Sequence, residues 1–106
     1  MRQVWQPKFA SDTAITRQWD FSSLLGAGES VASVSIAVSV YSGTDPSPSS
    51  ILNGAAVVAS PLVAQSVTSG VAGVIYEAKC TATTTGVSPS QTLGISCYLA
   101  IIPDLP

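Results

Sequence analysis

The sequence predicts an all-β fold, a two-layered antiparallel sandwich of about seven strands, and three observations carry that expectation. In Val34 to Tyr41 the residues Val34, Ile36, Val38 and Val40 alternate with Ser35, Ala37, Ser39 and Tyr41. That period of 2 sets one side of a strand on a core and the other toward solvent or a partner. Short apolar runs recur between Gly-, Pro- and Ser-rich turns, and no stretch has the 3.6-residue period of a helix.

The elements follow in order. Residues 1–13 form an N-terminal arm whose Pro7 and mixed pattern predict irregular backbone. Its Trp5 and Phe9 either fold back on the domain's own core or pack on a neighbouring subunit. Residues 14–106 form the single domain. Ile15 to Phe21 reads as a strand with Ile15, Arg17, Trp19 and Phe21 on one face. Ser22 to Gly26 reads as one helical turn closed by Gly26 and Gly28. After the strand at Val34 to Tyr41, the segment 42–50 is a loop, since Pro46 and Pro48 lack ladder donors. Strands are expected near Ala55 to Ala59 and Leu62 to Thr68, on either side of Ser60-Pro61. A turn at 69–73 leads into a long strand, Val74 to Thr84. A second turn, centred near Val87 and Ser88, returns the chain as Thr92 to Ile102. No internal repeat is present. At 106 residues, this spacing suits one immunoglobulin-like sandwich, which needs about 100 residues.

The closing hairpin sets the two cysteines. Val74, Tyr76, Ala78, Cys80 and Ala82 share one face, and Leu93, Ile95, Cys97, Leu99 and Ile101 share the facing one. Cys80 and Cys97 therefore both point inward and lie close across the ladder. The first residues hold no apolar run of secretory-signal length, which points to the cytoplasm and to thiols acting as small hydrophobes. A cross-strand disulfide is the other reading of the pair.

Composition removes whole classes of function. Charged residues are only 9% of the chain, the net charge is −2, and 26 residues are Ser or Thr. Arg2, Lys8, Arg17 and Lys79 form no basic cluster of the kind nucleic acid requires. No apolar run approaches the ~18 residues of a membrane span. Histidine is absent, and with it the commonest general base and the commonest metal ligand. Two cysteines spaced 17 apart match no zinc motif. Asp12, Asp20, Glu29, Asp45, Glu77 and Asp104 are scattered, and Asp45 in Thr44-Asp45-Pro46 reads as a turn former. No serine stands in a G-x-S-x-G context. The expectation is a non-enzymatic protein with no catalytic residue, cofactor or metal. Its hydroxyl-rich, charge-poor surface is of the kind that partners cover, with symmetric association the expected state.

The stretches Trp19-Asp20-Phe21-Ser22, Gly28-Glu29-Ser30 and Gly70-Val71-Ala72-Gly73 followed by Tyr76, with the Thr-rich hairpin after them, resemble a group of small bacteriophage virion proteins. The resemblance spans residues 15–102, and Ser69-Gly70 stands where the group more usually has two glycines. It implies an immunoglobulin-like virion part in many symmetric copies, assembled in the bacterial host cytoplasm. The implied role is capsid decoration, of cement or head-fibre type, on major capsid or other virion proteins, without nucleic acid or membrane. The alternative is a neck, tail or fibre-associated module binding carbohydrate or a cell surface. Trp5, Phe9, Tyr41 and Tyr98 are the candidate partner contacts, with Tyr41, Tyr98 and Trp5 able to stack on sugars.

Overall fold

A computed structural model describes residues 2–12, 14–86 and 89–103, and of Arg2 and Gln3 the backbone alone. The chain is all-β. Its strands are β1 (Arg2–Val4), β2 (Lys8–Phe9), β3 (Ile15–Asp20), β4 (Ser30–Ser42), β5 (Val57–Ala59), β6 (Leu62–Val67), β7 (Ile75–Thr85) and β8 (Thr92–Ile102), with a 3-10 turn at Pro48–Ile51. The large sheet runs β1-β8-β7-β4, and β2 also lies on β8; the small sheet runs β3-β6-β5. The two pack as an elongated sandwich of 53 × 21 × 20 Å. Among the described residues no helix is long and apolar enough to cross a membrane.

Alternation decides what the longer strands bury, whereas all three residues of β5 are exposed. Trp19 and Phe21 of the β3 segment are fully buried, as are Val63, Gln65 and Val67 of β6, and all meet the inner face of the large sheet. On that face lie Tyr76, Ala78, Cys80 and Ala82 of β7 beside Ile95, Cys97, Leu99 and Ile101 of β8. Gln65 is a polar exception, and its amide donates to the carbonyls of Gly54 at 3.0 Å and Ser66 at 2.8 Å. A buried amide is tolerated when its donors are satisfied in this way. Both cysteines are thiols on the inner face. Their register is diagonal, because Cys80 stands opposite Ile95 and Cys97 opposite Ala78. Burial pushes both thiols up to about 12, which keeps them protonated and unreactive at neutral pH.

The arm departs from the irregular backbone that Pro7 suggests. It makes two short parallel ladders on β8: Arg2 to Val4 run beside Ser96 to Tyr98, and Lys8 and Phe9 beside Ile101 and Ile102. Pro7 sits in the break between them, where no ladder donor is required. Trp5, in the same break, is buried. Its ring lies 4.8 Å from that of Trp19, tilted by 57°, and its indole donates to Gln18 O at 2.8 Å. Arg17 ties down the same break, donating to Gln6 O at 3.2 Å. The arm thus joins the edge of the large sheet to β3 of the small one. Trp19 makes the second link, its indole donating across the sandwich to Ala78 O at 3.2 Å.

Three smaller readings change. The expected helical turn at Ser22 to Gly26 is a plain turn, with Leu24 N donating to Phe21 O at 2.9 Å. The loop after β4 holds the 3-10 turn Pro48–Ile51, started by Pro48 and closed by burial of Ile51. Strand β4 is 13 residues long, well beyond the alternating stretch 34–41. The expected turn centre at Val87 and Ser88 lies outside the described residues. Beside it, Gly86 has φ +91°, and a Cβ there would fall 2.0 Å from Gly28 O. Only glycine fits that approach.

Candidate interaction surface

Four of the carboxylates are engaged by the fold. Asp20 accepts from Ser22 N at 2.9 Å, and Asp12 from Phe9 N at 3.0 Å. Glu29 is buried at one end of the sandwich, accepting from Gly26 N at 2.9 Å and from Thr84 Oγ1 at 2.7 Å. Thr84 Oγ1 in turn accepts from Gln91 N at 2.8 Å, so Glu29 clamps the Gly26–Gly28 loop to the closing hairpin. Asp45 lies at the other end. It caps its turn by accepting from Ser47 N at 2.8 Å, and it accepts the Tyr76 hydroxyl at 2.5 Å. Tyr76 Oη also accepts from Val71 N at 2.9 Å, pinning the loop that enters β7. Burial and the neighbouring Asp45 carboxylate raise the Tyr76 hydroxyl above the usual phenol range.

Hydrogen bonds from Gly26 and Thr84 hold Glu29 below the usual carboxylate range, and those from Tyr76 and Ser47 do the same for Asp45. A depressed folded-state value stabilises the fold above the unfolded value, near 4, and that contribution is lost as pH falls through the folded one. The melting temperature is therefore expected to be flat from about pH 8 to 5 and to fall below about pH 4. Glu29→Gln should flatten part of that acid limb. A limb unchanged in both Glu29→Gln and Asp45→Asn would contradict the assignment. Among the described residues no three metal-ligating side chains lie together.

The remaining chemistry is on the outer face of the large sheet. Ser33, Ser35, Ala37 and Ser39 of β4 are exposed there, level with Thr83, Thr81, Lys79 and Glu77 of β7. Those in turn face Thr92, Gly94, Ser96 and Tyr98 of β8. The outer face is thus a shelf of small hydroxyl side chains interrupted at one end by aromatic rings. Tyr41 is 61% exposed, and its ring meets that of Tyr98 at 4.6 Å, reaching over β7 to do so. Val4, 79% exposed, stands beside Tyr98 on β1.

The four residues named from the sequence divide three ways. Tyr41 and Tyr98 come together on this face. Phe9 is partly exposed farther along the β8 edge, beside Ile102. Trp5 is inside the domain and reaches no surface patch. Val4, Glu77 and Lys79 belong to the face but carry no sequence signal beyond their place in an alternating strand. Lys79 lies across Gly94, whose hydrogen in place of a side chain leaves room for it. No protein-family model, curated protein or solved structure matches the chain.

Proposed function

We propose that this chain is a non-enzymatic structural protein of a bacteriophage virion, a capsid decoration subunit of cement or head-fibre type that binds the capsid lattice in many copies. The observation that carries the reading is the outer face of the large sheet: broad, hydroxyl-rich, with the Tyr41–Tyr98 pair at one end and Glu77 and Lys79 its charged groups among the described side chains. Such a face suits many weak contacts summed over a lattice, where multiplicity supplies the affinity.

The immunoglobulin-like reading is supported by connectivity. With the arm set aside, the strands in chain order form one sheet from the first, fourth and third, and another from the second, fifth and sixth. This is the B-E-D and C-F-G pairing of that fold. Tyr76, near the start of β7 and bonded back to Val71, occupies the place of the tyrosine corner. The motifs that resemble virion proteins are joints of this framework: Trp19 and Phe21 in the core, Glu29 in the hairpin clamp, and 70–73 with Tyr76 at the corner.

The test is to label the chain and image, at low resolution, the particles that carry it. The expected result is a regular lattice of label on the head. Absence of label from every particle overturns the reading. The exposed Tyr41–Tyr98 pair favours a second reading, a carbohydrate-binding module of the neck, tail or a fibre. Glycan binding that Tyr41→Ala abolishes, together with label at the tail alone, would select it.

A further inference from the structure

We infer that the outer face of the large sheet is self-complementary and joins two copies of this chain face to face about a two-fold axis that crosses the strands between Glu77 and Lys79. The inference concerns the isolated chain and does not rest on the virion reading.

Three properties of the face point to a second copy. The first is charge. Glu77 and Lys79 are neighbours on the outer side of β7, and among the described residues neither has an ion pair within its own chain. Two sheets stacked face to face are related by an axis lying between them, and the two settings that keep the strands of both copies aligned run it along the strands or across them. An axis along β7 sets Glu77 on Glu77 and Lys79 on Lys79, which is repulsive. An axis across the strands, level with Ala78, sets each Glu77 on the partner copy's lysine, and each Lys79 on its glutamate.

The second property is relief. The same axis exchanges the row of Tyr98 with the row of Ser96, and the level of Tyr41 with the row of Ser35. The aromatic ridge of one copy then comes down on the small-residue shelf of the other. Ser35 and Ala37 keep that shelf low on its β4 side. An isologous contact of this kind closes on itself and leaves no open end.

The third property is size. Three long strands, β4, β7 and β8, lie about 4.8 Å apart and each contributes about nine residues at about 3.3 Å; with the short β1 at the edge they span roughly 480 Å² in projection. Side-chain relief brings the accessible area toward the ~800 Å² per partner of a standard interface. Tyrosine is among the residues enriched in such interfaces.

The experiment is sedimentation equilibrium of the purified full chain from micromolar to about millimolar concentration, with melting curves run on every variant. The wild-type chain is expected to dimerise reversibly. Lys79→Glu and Glu77→Lys each set like charges face to face and should weaken the dimer at least about tenfold. The double variant Glu77→Lys with Lys79→Glu restores the complement and should return the constant to within about threefold of wild type. Tyr41→Asp, at an exposed position, should abolish dimerisation and, having lost only the ring contact with Tyr98 inside its own chain, melt no more than about 10 °C below the wild type. A strict monomer at about 1 mM, a dimer indifferent to Lys79→Glu and Tyr41→Asp, or a folded double variant that stays monomeric would each overturn the inference.

Discussion

Trp19→Ala is expected to lower the stability of the chain by at least about 3 kcal/mol. The indole is wholly buried between the sheets, packs at a tilt against Trp5 and donates to Ala78 O on the opposite sheet. Truncating a buried Trp to Ala costs about 3–5 kcal/mol, and the loss of the hydrogen bond across the sandwich comes with it. A domain of this size has only about 5–15 kcal/mol in all. Trp19→Phe separates the two effects, since it keeps most of the ring and removes the donor. It should cost about 1–3 kcal/mol, from the lost hydrogen bond together with the space left by the smaller ring. Urea denaturation followed by circular dichroism measures both. If Trp19→Ala lies within about 1 kcal/mol of wild type, the sheets are not held together at this residue.

Removing the arm should be nearly as severe. A chain beginning at Asp12 lacks Trp5 and both ladders on β8, uncovers one side of Trp19 and leaves the β8 edge open. Loss of Trp5 alone accounts for about 3–5 kcal/mol, and each kcal/mol moves the melting temperature by about 4–8 °C in a domain of this size. The truncated chain is therefore expected to melt at least about 12 °C lower, and lower than the full-length Trp5→Ala variant. Equal melting of the truncated and full chains would mean that the arm is held by something other than its own domain. A capsid-binding assay on both chains addresses attachment separately. An exposed open edge also invites pairing with other chains, so faster aggregation of the truncated protein is part of the same expectation.

Much of the sandwich was legible in the chain. The alternation in Val34 to Tyr41, Val74 to Thr84 and Thr92 to Ile102 names which side chains face the core, because side-chain direction in a strand reverses at each residue whatever the strand pairs with. Tyr76, Ala78, Cys80, Ile95, Cys97 and Leu99 are inside for that local reason. Ser60-Pro61 as a break and Asp45 as a turn former are equally local, since each depends on backbone geometry within a few residues.

The tertiary structure alone decided the features that join distant parts of the chain. Strands of three and two residues are too short to carry a pattern, so the parallel pairing of β1 and β2 with β8 exists only because the folded domain brings the two ends of the chain together. The burial of Trp5 against Trp19 follows from that pairing, and it removes Trp5 from the surface where Tyr41 and Tyr98 remain. Those two rings are 57 residues apart and meet because each points outward and is long enough to cross β7. Glu29 and Thr84, 55 residues apart, meet at the opposite end. Alternation specifies a face for every side chain. Which faces meet, and which edge the arm closes, is settled by packing the two sheets as a whole.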